Sequence, residues 1–330
     1  MSSIALDNNL LFQSFVYNGG MIIDVHTHLF DRGWIPEGFF DGVSRLVAAV
    51  MEKEGVEISR KELKETMIEG TADPTGALLL AEMEEAGIDK SILLTCDFAF
   101  ALGEPEVSIE DLNKKYADLA ERHPDKLIAF AGMDPRRNKA PDLLKKCIKD
   151  WGMKGLKLHP AAGFYPNSKE TYDLLEVANE LKLPVLIHSG NMVPPLKGKY
   201  TQTILFDDIA TDFPDLTIIA AHAGGLFGYH SMLSLMITRP NLYVDISAWQ
   251  IAALKSMEHL CRALREIMDF SGSHRILFGS DSPSLRSQMT NQDWVDTIKS
   301  LPEKAPGGMK FTEEEISKIL GGNALRILKI

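Results

Sequence analysis

Cysteine is scarce in this sequence: Cys96, Cys147 and Cys261 are odd in number and far apart, which argues against a disulfide framework and for a reducing, cytoplasmic setting. Positive charge is short as well. With 35 Lys and Arg against 46 Asp and Glu, the net charge is -11, so a general affinity for nucleic acid or anionic membranes is not expected. Any anionic substrate must then meet a local positive site, such as a metal. No apolar run approaches membrane-spanning length, and the opening MSSIALDNNLLFQSFVYNGG lacks the basic start and continuous apolar core of a signal peptide. Residues 1–20 therefore read as an N-terminal arm. No glycine-rich dinucleotide loop follows the first strand candidate, which weakens an open doubly wound sheet.

What is present is a large apolar fraction, 45%, enough for one big domain or two ordinary ones. Apolar runs at 21–28, 90–97, 127–134, 153–160, 184–190, 217–224, 242–248 and 275–283 alternate with amphipathic stretches such as IEDLNKKYADLAERH and ALKSMEHLCRALREIM. The runs are near-continuously apolar rather than alternating, as expected of parallel strands covered on both faces. Eight such strand-and-helix units predict a closed (β/α)8 barrel over 21–330. Residues 31–70 fall outside the repeat. Their helical pattern reads as a cap-like insertion after the first strand, with Trp34, Phe39 and Phe40 available to help close a pocket.

Several strands end in polar residues. His26 and His28 lie two apart in MIIDVHTHLF, so strand alternation puts them on one face, where they can bind one cation jointly. The pair alone has a structural reading too, with both imidazoles bonded to backbone carbonyls. His188 closes VLIHSG, His222 closes IIAAHAGG and Asp281 closes ILFGSDSP, however, each at the C-terminal end of a different strand candidate. In a barrel those ends converge. Neutral imidazoles and a carboxylate suit Zn²⁺ and neighbouring divalent ions, and three or four of them leave a position free for water.

Those residues carry a resemblance. The HxH after strand one, the histidines after five and six and the aspartate after eight resemble the amidohydrolase superfamily; DVHTH, AEMEEAGID, GLKLHP, IHSG, AHAGG and LFGSDSP look like its amidohydrolase-related (type 2) branch. That branch contains hydrolases, lactonases and non-oxidative decarboxylases. The resemblance implies a TIM barrel and a divalent metal, Zn²⁺ first and Mn²⁺ as the alternative, held by His26, His28, His188 and Asp281. It makes His222 a catalytic group or further ligand and Asp281 a proton carrier. Some superfamily members bridge two metals with a carboxylated lysine after strand four; Lys157 in GLKLHP is open to that role or to binding a substrate anion as a cation. His159, two residues on, either contacts substrate or satisfies a loop.

The implied chemistry is metal-assisted addition of water to a small carboxylic ester, lactone or amide, with metal-dependent decarboxylation of an aromatic or unsaturated acid as the alternative. Ser282 and Ser284 flank Pro283 where comparable decarboxylases tend to have an aromatic residue, which tilts the reading towards hydrolysis. Asp24 and Asp245 are weighed as orienting carboxylates or as structural hydrogen-bonding groups. Arg32 and Arg286 are weighed as grips for a substrate carboxylate. Partners are expected to be a small-molecule substrate and, with the state left open, a second copy of the chain.

Overall fold

The computed structural model describes residues 20–53 and 55–329, so the expected arm lies almost wholly outside the described residues. Eight parallel strands stand in sequence order: β1 (Ile23–Thr27), β2 (Lys90–Leu94), β3 (Leu127–Gly132), β4 (Leu156–Leu158), β5 (Val185–Ile187), β6 (Ile218–Ala220), β7 (Leu242–Asp245) and β8 (Ile276–Leu277). The ring closes between its ends, where Val25 N donates to the Phe278 carbonyl at 3.0 Å and Asp281 N to the His26 carbonyl at 2.9 Å. This is the (β/α)8 barrel that the alternating pattern predicts. Every expected strand is present but shorter at its C-terminal end, because the chain leaves the ladder where the polar residues begin. After β4 and β6 it turns at once into 3₁₀ segments, Pro160–Ala162 and Ala221–Gly224.

Two apolar layers hold the barrel. Outward residues such as Leu93, Ala129, Leu156 and Val244 pack under the helices, while inward residues such as Val25, Leu94, Phe130 and Leu186 fill the bore. Ala324 and Ile327 of the helix Asn323–Leu328 join the inner cluster and plug one end. The helix Ile109–Arg122 shows how the sequence positions an outer element. Ser108 caps it by accepting from Asp111 N at 3.1 Å, and Ile109, Leu112, Tyr116 and Leu119 recur at helical spacing on its buried face.

The segment after β1 forms two helices, Glu37–Lys53 and Arg60–Thr71, and returns through a bridge between Phe30 and Ala72. It packs against loops that follow the strands: the Phe39 ring lies parallel to Phe98, after β2, with centroids 5.4 Å apart, and Gly42 meets the Pro194 backbone after β5. Phe40 packs on Phe30, which follows β1 and stacks on His28, whereas Trp34 packs on Tyr116 of an outer helix, so Phe39 and Phe40 of the three expected aromatics reach residues just after the strand ends.

Glycine sets how closely two of the loops approach. Gly190, after β5, has φ +85°, and a Cβ there would lie 2.7 Å from Gly225 N in the loop after β6. Gly152 also has positive φ, +70°, but opens onto free space. Gly190→Ala is therefore expected to lower unfolding stability by about 1–3 kcal/mol through overpacking added to backbone strain. Gly152→Ala, bearing strain alone, should lose clearly less in the same denaturant titration; equal losses would show that the close approach contributes nothing.

Candidate metal and catalytic site

His26 lies near the end of β1 and His28 directly after the strand, beside a bulge: Asp24 to Thr27 pairs against Ser91 to Leu93, one residue fewer on the β2 side. Strict alternation would set Asp24 and His26 on one face. The bulge breaks it, since Val25 belongs to the inner cluster while His26 also reaches the bore. His26 Nδ1 lies 3.0 Å from Asp245 Oδ2, and His28 Nδ1 lies 2.8 Å from the Leu94 carbonyl. Both acceptors are oxygens, so each ring donates from Nδ1. That leaves Nε2 of neutral His26 bare, whereas for His28 burial is outweighed by Cys96 and Asp281 beside it, which push the ring up to about 10, so its Nε2 also carries a proton towards Asp281 until a cation takes its place. Those two Nε2 atoms stand 3.5 Å from Asp281 Oδ1.

This spacing fits a divalent ion. Ligand bonds of about 2.0–2.2 Å put neighbouring donor atoms about 3–3.5 Å apart, and the donor atoms of His26, His28 and Asp281 all lie within 4.8 Å of one another. His188 stands one ring further on: its Nδ1 is 3.2 Å from His222 Nε2, and its buried Nε2 has no hydrogen-bond partner among the described residues. A buried unpaired nitrogen is costly unless something accepts its lone pair. Burial pushes His188 well below the ordinary imidazole range and His26 down to about 3, so both rings are in the neutral form that a metal requires. For Asp281, burial works to raise the carboxyl, but the hydrogen bond to His28 and the neighbouring histidines outweigh it and hold it below the usual carboxylate range.

The far side of the cluster rests on β7. Asp245 is fully buried and accepts from His222 N at 3.0 Å and Ser247 N at 3.0 Å besides His26. Burial opposes its charge, yet His26, His222 and Ser247 keep it below the usual range. Asp245 is thus an orienting carboxylate, one of the two readings weighed for it. His222 and Ala223 adopt left-handed backbone, φ 58° and 50°, and Trp249 Nε1 donates to the His222 carbonyl at 2.9 Å. Asp281 is left-handed too, φ 58°. Side chains forced into this region mark strain that the surroundings must hold in place.

Lys157 and His159 both face the cluster. Lys157 Nζ is 3.3 Å from His26 Nε2, and burial lowers its pKa, so the amine can shed the charge that would repel a cation. His159 stacks on His188 with centroids 4.2 Å apart and meets Phe98 edge-on at 4.7 Å; its buried Nδ1 has no partner among the described residues. Asp24 accepts from His26 N and Ser280 N, both at 3.0 Å, which is the structural reading of that residue; burial raises its carboxyl to about 7. The arginines weighed as grips for a substrate carboxylate carry ion pairs within the chain. Arg286 is paired with Glu82, and Arg32 with Glu65, so each guanidinium is spent on a carboxylate of the chain itself. Two residues near the centre escaped the sequence reading: Ser247, and Cys96, whose Sγ is 3.6 Å from His28 Nδ1. Ser247 carries a signal in retrospect, since it follows Asp245 at the two-residue spacing seen in HxH.

A barrel with imidazoles and a carboxylate gathered where its strands end can hold a divalent ion. Residues 23–330 match the family model described as Amidohydrolase, and the chain belongs to this family of enzymes. It is 23% identical to a 2-amino-3-carboxymuconate-6-semialdehyde decarboxylase from Dictyostelium discoideum, over 93% of this chain and 91% of that protein. It is 25% identical to a 2-keto-4-carboxy-3-hexenedioate hydratase from a Sphingobium strain, over 82% of this chain and 85% of that one. A similar solved structure is a 5-carboxyvanillate decarboxylase from Novosphingobium aromaticivorans, complexed with manganese and 4-hydroxy-3-methoxy-5-nitrobenzoic acid. Its TM-score is 0.63 at 16% identity, covering 94% of this chain and 97% of that one. Among the described residues no helix is long and apolar enough to cross a membrane.

Asp245 fixes His26 without touching the cluster's open side. Asp245→Asn is expected to weaken Mn²⁺ binding about 10- to 100-fold, the usual consequence of losing a partner behind a ligand. Competition against a chelating dye would measure it. Unchanged affinity in a folded variant would remove Asp245 from the site's support.

Proposed function

We infer that the chain is a metal-dependent non-oxidative decarboxylase of a small unsaturated or aromatic carboxylic acid. The observation that carries this reading is the cluster itself. The Nε2 atoms of His26 and His28 converge on Asp281, with the Lys157 amine 3.3 Å from His26: a donor set for a divalent cation, which would give a substrate carboxylate its local positive partner in a chain of net charge -11. Carbon–carbon cleavage goes ahead of hydrolysis because the decarboxylase match spans 93% of the chain, against 82% for the hydratase. Hydrolysis of an ester, lactone or amide is the second reading. It is favoured by Ser282 and Ser284 standing where an aromatic residue would be expected, and by a relative named for adding water.

His26, His28 and Asp281 would hold the ion, with the unpartnered Nε2 of His188 as the fourth donor. Zn²⁺ and Mn²⁺ both suit this mixed nitrogen and oxygen set. When bound, the ion supplies a Lewis acid for the substrate's carboxylate or hydroxyl oxygen and, in hydrolysis, acidifies water. Asp281, held ionised, takes a proton from the substrate hydroxyl or from water. As the bond to the carboxylate breaks, the electron pair stays on carbon, and Asp281 returns the proton there in place of carbon dioxide. His222 is the second proton-handling group, its Nε2 paired with His188 Nδ1 in the resting site. Lys157 and His159 face the substrate's anionic and flat portions, and the segment 31–70, through Phe39 against Phe98, covers the mouth. A small-molecule substrate, a cytoplasmic setting and self-association remain part of this reading.

The test sets carbon dioxide release from hydroxylated aromatic and carboxylated dienoic acids beside a lactone and ester panel, with the Mn²⁺- and Zn²⁺-loaded protein. Asp281→Asn keeps an oxygen donor but loses the base. Metal should largely remain while kcat and kcat/KM fall together by about 10²- to 10⁴-fold. Near-normal turnover in a metal-loaded Asp281→Asn variant would pass the proton-carrying role to another residue. Turnover of lactones alone would replace the first reading by the second.

A further inference from the structure

The hydroxyl of Ser247 has three polar neighbours, all buried. It donates to Asp245 Oδ1 and lies 2.8 Å from His222 Nδ1 and 3.0 Å from His26 Nδ1. A serine hydroxyl offers one proton and two lone pairs. With the proton directed to a carboxylate that can only accept, both lone pairs are left for imidazole nitrogens, and each must then bring an N–H. Two further contacts agree: His222 Nδ1 is 3.1 Å from the Ser247 carbonyl, and His26 Nδ1 is 3.0 Å from Asp245 Oδ2. Oxygen therefore surrounds both Nδ1 atoms.

We propose that Ser247 is a positioning residue that fixes His26 and His222 together in the Nδ1–H tautomer, so that both rings present a proton-free Nε2 to the site. The consequence runs one ring further. His222 Nε2, being bare, accepts from His188 Nδ1 at 3.2 Å, and this leaves His188 Nε2 as the lone-pair atom that has no protein partner. One hydroxyl on the strand-seven loop thereby sets the donor atoms offered by β1, β5 and β6. Gly279 gives it room, since a Cβ at that position would lie 3.0 Å from both the Ser247 and His26 Cβ atoms. The proposal deepens the metal-site reading of the preceding section and rests on it for its purpose, though not for its test.

The experiment uses full-length, metal-free protein labelled with ¹⁵N-histidine, in which long-range ¹H–¹⁵N spectra report which ring nitrogen carries the proton. In the wild type, His26, His222 and His188 should all appear as Nδ1–H species. In Ser247→Ala the Nδ1–H signals of His26 and His222 should both shift and exchange faster, and Mn²⁺ affinity, read by chelator competition, should fall about 10- to 100-fold. A wild-type spectrum with Nε2–H on either His26 or His222 overturns the proposal, whether or not the variant folds. So does a folded Ser247→Ala protein in which both ring signals and the affinity are unchanged. If the wild-type tautomers are as stated but Mn²⁺ does not bind, the metal-dependent function fails while the tautomer assignment stands.

Discussion

Everything at the centre of this protein depends on one buried carboxylate. Asp245 is sealed from solvent at the end of β7, and an isolated charge there would be prohibitive. It survives because both oxygens are saturated: Oδ2 by the His26 ring, Oδ1 by the amides of His222 and Ser247 and by the Ser247 hydroxyl. Satisfying that charge fixes a ring on β1, the backbone after β6 and a loop after β7. The cluster is rigid for the same reason that the carboxylate can be buried at all.

The fold was legible because parallel strands covered on both faces leave a plain record of eight apolar runs, each followed by an amphipathic helix. The cluster was legible in its outline, because His26, His28, His188, His222 and Asp281 occupy strand ends where an apolar residue would pack better. Its wiring was less so. Strict alternation cannot foresee the bulge between Asp24 and Thr27, and a single serine in LYVDISA does not announce that two distant imidazoles will share its oxygen. The ion pairs of Arg32 and Arg286 were hidden for a related reason. Sequence shows a guanidinium after a strand but not the Glu65 or Glu82 that a folded helix brings to it.

Charge explains why the centre needs so many partners in a protein whose surface is acidic. Lys157, His26, His28, His159, His188 and His222 are buried together, and only Asp245 and Asp281 oppose them within the cluster. Were all six basic groups charged, their repulsion in a low-dielectric bore would outweigh two carboxylates. The chain meets this by keeping His26 and His188 neutral, their Nδ1 protons directed to a fixed oxygen or ring acceptor, by setting the Asp281 carboxylate against His28, and by pressing the lysine amine towards its neutral form. The result is a set of lone pairs pointing inward, which is what a cation finds favourable and an apolar molecule does not.

That arrangement also accounts for where the backbone is strained. His222, Ala223 and Asp281 all adopt left-handed φ in a chain that has glycine available for such turns, and uses it at Gly224 and Gly225 immediately after. Glycine at 222 or 281 would relieve the strain but remove the imidazole or the carboxylate, so the side chain's position outranks local comfort. The strain is held by bonds from outside the turn: Trp249 to the His222 carbonyl, Asp245 to the His222 amide, and the His26 carbonyl to the Asp281 amide. The last of these also joins β8 to β1. Closure of the barrel and placement of the carboxylate are therefore one event, and a change that loosens the seam between the first and last strands must move Asp281 relative to the two histidines it faces.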